Sequence, residues 1–149
     1  MDEPDTPAEL KARALRHLVR REHSRAELAR KLAPHAESPE AVQRLLDELA
    51  VKKQLSDERY AEERARCLAR KYGAARIRRD LQAKGIDPQV IDAVSSGDEL
   101  ERARAILNRK YRTPAESRQD LARRARFLQG RGFSMAVIGR LLRSSEEFL

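Results

Sequence analysis

The chain has no tryptophan, only three tyrosines and three phenylalanines, six glycines and one cysteine among 149 residues. So few rings exclude a thick core built on aromatic side chains, whereas 22 alanines and 18 leucines suit thin seams between helices. The lone Cys67 excludes an intramolecular disulfide framework and is expected to pack as a small apolar residue. No apolar run approaches the roughly 18 residues that a membrane span requires. The first ten residues, MDEPDTPAEL, are acidic and carry neither the basic nor the apolar region of a signal peptide, so a cytoplasmic location is expected. His17, His23 and His35 stand at no metal-ligand spacing from one another or from Cys67, and all three are expected at the surface. No histidine lies near Cys67 in sequence to activate it, and there is no glycine-rich phosphate loop. The chain therefore reads as non-enzymatic, with no catalytic residue, no metal and no cofactor.

What is present is helix punctuation. Thr6-Pro7-Ala8-Glu9 combines a capping hydroxyl, a proline at the first helical position and a carboxylate three residues beyond the cap. Ser24-Arg25-Ala26-Glu27 repeats the capping box, and Ser38-Pro39 opens a third helix. Leu10, Ala14, Leu15 and Leu18, then Leu28 and Leu32, then Val42, Leu45, Leu46 and Leu49 supply inward faces at helical spacing. Further starts are read at Ser56, Gly73, Asp87, Asp98, Thr113 and Ser134, which makes nine helices. No segment alternates apolar and polar residues over the length of a strand.

These helices repeat. Aligning Ser24, Gly73 and Ser117 superposes Leu28, Ile77 and Leu121, then Leu32, Leu81 and Ala125. Aligning Ser38, Asp87 and Ser134 superposes Val42, Ile91 and Ile138, then Leu45, Val94 and Leu141. The expectation is an all-α fold: an elongated tandem array of three three-helix units, a short helical solenoid, divided at residues 1–54, 55–96 and 97–149.

Charge is segregated along that array. The formal net charge of +8 rests on 25 arginines and 7 lysines against 24 acids. Residues 1–50 sum to −1 and 85–101 to −5, whereas 59–84 sum to +6 and 102–131 to +8. Ordinary solvated helix faces do not predict such segregation; a polyanionic partner does. The candidate contacts are Arg64, Arg66, Arg70, Lys71, Arg76, Arg78, Arg79 and Lys84 in the middle unit, with Arg118, Arg123, Arg124, Arg126 and Arg131 in the third. Arginine's planar fork grips phosphate or carboxylate bidentately, so both DNA backbone and an acidic protein surface fit. Aromatic interleaving is sparse, which argues against base stacking as the binding mode. Tyr72 and Tyr111, in matching Arg-Lys-Tyr contexts, are read as wedges between helices.

Within the middle unit, the run DERYA (Asp57 to Ala61), then KYG (Lys71 to Gly73), Ile77, Leu81 and KGI (Lys84 to Ile86) resembles the central repeat of the RecX family of bacterial recombination regulators. The resemblance implies a small helical protein that binds the RecA–DNA filament and inhibits RecA recombinase, ATPase and coprotease activities. It would thereby modulate DNA repair, homologous recombination and the SOS response. The partners it implies are the RecA filament and single- and double-stranded DNA met through phosphates, with no membrane and a monomer favoured. Two other readings stay open. One is a DNA-binding protein acting without RecA, sequence-tolerant or reading bases through a helix-turn-helix; the starts Asp87-Pro88-Gln89 and Ser134-Met135-Ala136 are poor base readers. The other is a structural adaptor with merely solvated arginines.

Overall fold

A computed structural model of the chain describes residues 3–94 and 97–146, the last three without their side chains. Helices run Pro7–Arg20 (α1), Arg25–Leu32 (α2), Pro39–Val51 (α3), Asp57–Leu68 (α4), Ala74–Ala83 (α5), Pro88–Ala93 (α6), Glu99–Lys110 (α7), Arg118–Gly130 (α8) and Met135–Glu146 (α9). A single 3-10 turn, Ala33–His35, follows α2, and no strand occurs among the described residues. The unit boundary expected after residue 96 falls beside residues 95–96, which lie outside the described residues.

Capping chemistry sets the starts. At α1 the Thr6 hydroxyl accepts from the Glu9 N–H at 3.2 Å while the Glu9 carboxylate accepts from the Thr6 N–H at 3.0 Å. Ser24, Ser38, Ser56 and Ser134 each accept from the N–H three residues on, and Asp87 and Asp98 accept from the N–H two residues on. Each bond satisfies a donor the helix itself leaves unpaired, and losing one costs about 1 kcal/mol.

The start of α8 differs from expectation. Thr113-Pro114-Ala115-Glu116 does not open a helix; the cap is Ser117, whose hydroxyl accepts from the Asp120 N–H at 3.1 Å. The Thr113 carbonyl goes instead to the Arg124 guanidinium at 2.9 Å, and the Glu116 N–H donates to Asp120 at 3.1 Å. Those bonds hold residues 113–116 as an irregular lead-in. Two surface expectations also fail: His23 is 1% exposed, and Cys67 is exposed rather than packed.

The chain forms two compact units, one of Met1–Glu63 with Leu81–Val94, the other of Arg64–Asp80 with Ser95–Leu149. In the first, Leu10, Ala14, Leu28, Leu32, Val42, Leu45, Leu46, Leu49 and Leu55 make one core. Each fully buried leucine there is worth about 1.5–3 kcal/mol relative to exposure. In the second, Ala103, Ile106, Leu107, Leu128, Phe133, Ile138 and Leu141 form the core, with Tyr111, Ala125 and Phe127 packed against it. Ile77 and Leu81 are 4% and 0% exposed, as their spacing on α5 requires.

The same docking device occurs inside each unit. In the first, the turn after α5 lies on the start of α2: the Ser24 hydroxyl donates to the Lys84 carbonyl at 2.9 Å, and a Cβ on Gly85 would fall 2.6 Å from that of Ala26. In the second, the turn after α8 lies on the start of α5: the Gly73 N–H donates to the Arg131 carbonyl at 2.7 Å and the Ala75 N–H to the Gly132 carbonyl at 3.2 Å. Ser24 and Gly73 are the residues the repeat puts in register. Gly73 is there for close approach rather than for unusual backbone angles, since a Cβ on it would stand 2.5 Å from the Gly132 oxygen.

Candidate polyanion-binding surface

The second unit carries a ladder of cations and rings, assembled from the α4–α5 joint, the end of α7 and the length of α8. Three residues of α7 grip the joint. Glu99 accepts from the Ala74 N–H at 2.6 Å, Arg102 donates to the Tyr72 carbonyl at 2.8 Å, and Arg109 donates to the Arg70 carbonyl. Burial pushes the Arg102 guanidinium's pKa down from its ordinary value, with Glu99 opposing that shift. The grip fixes the Tyr72 ring at the surface.

Stacking does the rest. The Arg76 guanidinium lies 4.3 Å from the Tyr72 ring centre, and Arg131 lies 5.6 Å from Tyr72 and 5.1 Å from Phe127. Lys110 is 5.7 Å from Phe127, whose ring meets Tyr111 edge to face at 6.0 Å, and Arg124 sits 4.5 Å from Tyr111. Cation–ring contacts of this kind contribute about 0.5–1 kcal/mol each at exposed sites. Their larger consequence is order: each cation is held on a ring or a carbonyl. Arg76 also reaches the Gly130 carbonyl at 3.4 Å, and Arg124 the Thr113 carbonyl. Among the described residues, none of Arg76, Arg109, Lys110, Arg124 and Arg131 forms an ion pair with a carboxylate. The Arg124 Nε is buried with no hydrogen-bond acceptor. The ladder is thus positive and ordered, with no carboxylate paired to these five cations among the described residues.

The sequence-predicted contacts divide around it. Arg76, Arg124 and Arg131 are rungs. Arg66, Arg70, Lys71, Arg79, Arg118 and Arg126 are exposed elsewhere on the second unit's helices and their joint. Arg64 is committed to Asp80 by two bonds of 2.9 and 3.1 Å, which tie α4 to α5. Arg123 pairs with Asp120 on its own helix. Arg78 is half-buried, and half-buried Lys84 belongs to the first unit, where its carbonyl takes the Ser24 hydroxyl. Sequence reasoning missed Arg109 and Lys110. The signal was the repeated Arg-Lys-Tyr, which makes them the counterparts of Arg70 and Lys71.

Among the described residues no three His, Cys, Asp or Glu side chains cluster as metal ligands, and no helix is long and apolar enough to cross a membrane. Among the described residues the chain is all-helical, and its second unit carries a basic face. Three family models match in tandem: "RecX, first three-helix domain" at residues 11–49, "RecX, second three-helix domain" at 56–94 and "RecX, third three-helix domain" at 97–142. The chain belongs to the RecX family.

Its relatives agree. It is 41% identical to the regulatory protein RecX of Ralstonia nicotianae over 98% of this chain and 94% of that one. It is 44% identical to that of Leptothrix cholodnii over 92% and 89%. The crystal structure of RecX from Lactobacillus salivarius superposes with a TM-score of 0.82 at 19% identity, covering 95% of this chain and 97% of that chain; at that identity the likeness shows the fold alone. The relatives bear the name of regulatory proteins.

Proposed function

We propose that this chain is a non-enzymatic regulator of RecA that binds the RecA–DNA filament through the arginine surface of its second unit and suppresses recombinase, ATPase and coprotease activities. Family membership supports RecA as the partner. The observation that carries the surface is the set of five ordered cations without carboxylate partners among the described residues, because preorganised positive charge is what an anionic filament would neutralise. Arg66, Arg79, Arg118 and Arg126 extend the positive field around it. A bound regulator that neutralises filament charge would hinder subunit addition and the movements coupled to ATP turnover. The working location in this reading is the cytoplasm, and the repeats divide at residues 54/55 and 96/97.

The test is RecA ATPase activity on single-stranded DNA with the wild-type chain and with an Arg76→Glu, Arg79→Glu variant. Both side chains are exposed, so helix content should be kept; the Arg79 reversal should cost about 0.5 kcal/mol or less, and the Arg76 reversal about 0.5–1 kcal/mol for its lost ring contact. Two charge reversals replace attraction by repulsion, and the concentration needed for half-inhibition should rise about tenfold or more. Full inhibition by the folded variant would remove this surface from the mechanism. No inhibition by the wild-type chain would remove RecA regulation itself.

A further inference from the structure

The geometry points to the ladder being a phosphate-chain site: it takes successive phosphates of one strand and no base, so inorganic polyphosphate can occupy it as a nucleic-acid backbone does. The inference rests on the reading of this cluster as the working surface. Three observations carry it. First, the ring faces are already in use. Tyr72 carries Arg76 on its face at 4.3 Å, Tyr111 carries Arg124 at 4.5 Å, and Phe127 has Arg131 and Lys110 near it and stands perpendicular to Tyr111. A base that stacked there would have to displace a cation, and base stacking is the usual reason for aromatics in a strand-binding surface.

Second, the cations are serial. Arg76 and Arg131 share Tyr72, and Arg131 and Lys110 share Phe127, so neighbouring charges stand no further apart than the two ring distances combined. Several cations within that separation suit an anion carrying several phosphates better than a single anion. Third, the donor inventory exceeds what the protein satisfies. The stacked guanidiniums of Arg76 and Arg131 meet no carboxylate among the described residues, and the same holds for Arg109, Lys110 and Arg124. Phosphate oxygens are acceptors only, several to each group, and suit a site made of forks.

The experiment uses the full chain with no RecA present. Binding is read by fluorescence anisotropy at fixed salt for labelled inorganic polyphosphate, a labelled oligodeoxynucleotide, the same strand made abasic, and labelled polyglutamate of equal charge. The expected result is equal affinity, within about threefold, for the abasic and base-bearing strands, measurable polyphosphate binding, and polyglutamate weaker by about tenfold or more. Arg76→Glu, Arg131→Glu should lose about tenfold or more against all three phosphate chains, whereas Arg16→Glu, Arg20→Glu, an equal charge change on exposed α1 residues, should stay within about twofold. Arg76→Gln, Lys110→Gln removes two exposed rungs without adding carboxylates and should lose about threefold or more if the reversal variant proves unfolded. Base-bearing strands binding about tenfold tighter than abasic ones, polyglutamate matching polyphosphate, or equal losses in the α1 control each overturn the proposal. Failure here is distinct from failure of the regulatory reading. Phosphate-chain binding with no effect on RecA ATPase sinks only the latter, and ATPase inhibition without phosphate-chain binding sinks only this inference.

Discussion

At His23 the hydrogen-bond partners decide the protonation state. Its Nδ1 lies 3.1 Å from the Arg21 carbonyl, which only accepts, so Nδ1 carries the hydrogen. Its Nε2 lies 2.9 Å from the Lys31 ammonium, which only donates, so Nε2 must offer a lone pair. Protonation would aim a second N–H at a cation inside a site that is 1% exposed. His17 from α1, its ring 5.6 Å away, adds no negative charge, and nearby Glu27 is already engaged by Arg21 at 2.8 and 3.0 Å. Burial first, then Arg21 and Lys31, push the His23 pKa down, against the opposing carbonyl bond and Glu27; burial lowers His17 as well. The folded state then binds fewer protons than the unfolded chain. Stability is fully present above the ordinary histidine value, about 6.5, and is lost as pH falls through it.

The consequence is measurable. Circular dichroism melts from about pH 7.5 down to about 5.5 should show a falling melting temperature, with His23 and His17 each contributing at most about 1.4 kcal/mol per pH unit to the slope. His23→Gln should flatten part of that slope, leaving the part His17 contributes. Identical slopes in the two proteins would show that His23 does not titrate on unfolding. Glu27 works in a separate window, because its hydrogen bond to Arg21 holds its pKa down to about 2 and its contribution persists until far lower pH. None of this was legible in the sequence. Burial of His23 follows from the α1–α2 joint folding over it, and a lone histidine beside a cap gives no periodic signal.

Among the elements, those with local causes were legible. Hydroxyl and carboxylate caps act within three residues, so seven of the nine expected starts follow from spacing alone. Gly73 has no capping side chain, and Thr113 carries the right pattern, but its carbonyl is taken by Arg124, eleven residues away. The docking turns were only half visible. Gly73 could be read as a break, yet its reason lies 59 residues on, in the Gly132 backbone. Gly73→Ala should therefore destabilise the second unit by about 1–3 kcal/mol through overpacking against backbone that cannot move aside. Gly130→Ala is the comparison, since a Cβ there meets nothing within 4 Å and should be neutral or stabilising by less than about 1 kcal/mol. Urea unfolding midpoints of the two variants check the contrast; equal midpoints would remove the close-approach argument. The ladder shares this blindness to distance: Arg76, Lys110 and Arg131 are far apart in sequence, and only packing turns three ordinary arginine-rich segments into one surface.

For the whole molecule, sequence repeats and packing units divide the chain differently. The repeat reading ends its first unit at residue 54, and the first family model ends at 49. The first compact unit continues into α4 and takes in α6. Its seam is specific: the Arg25 N–H donates to Asp57 at 2.7 Å, Arg59 pairs with Glu22 at 2.8 Å, and Ser24 holds the Lys84 carbonyl. Leu55, Ile86 and Ile91, at 4%, 4% and 6% exposed, are buried beyond the repeat boundary. If each repeat were self-sufficient, a chain ending at Gln54 would unfold at the same urea concentration as one ending at Val94. The seam predicts otherwise. Ending at Gln54 removes the Ser24–Lys84 hydrogen bond, the Arg25–Asp57 bond, the Arg59–Glu22 ion pair and the apolar cover from Leu55, Ile86 and Ile91, so it should be less stable by at least about 2 kcal/mol. It should also unfold with lower cooperativity, since a 54-residue remnant buries too small a core to hold α2 alone. Equal midpoints would make the three-helix repeat the folding unit; a lower midpoint makes it the docked turn together with the helix start beneath it.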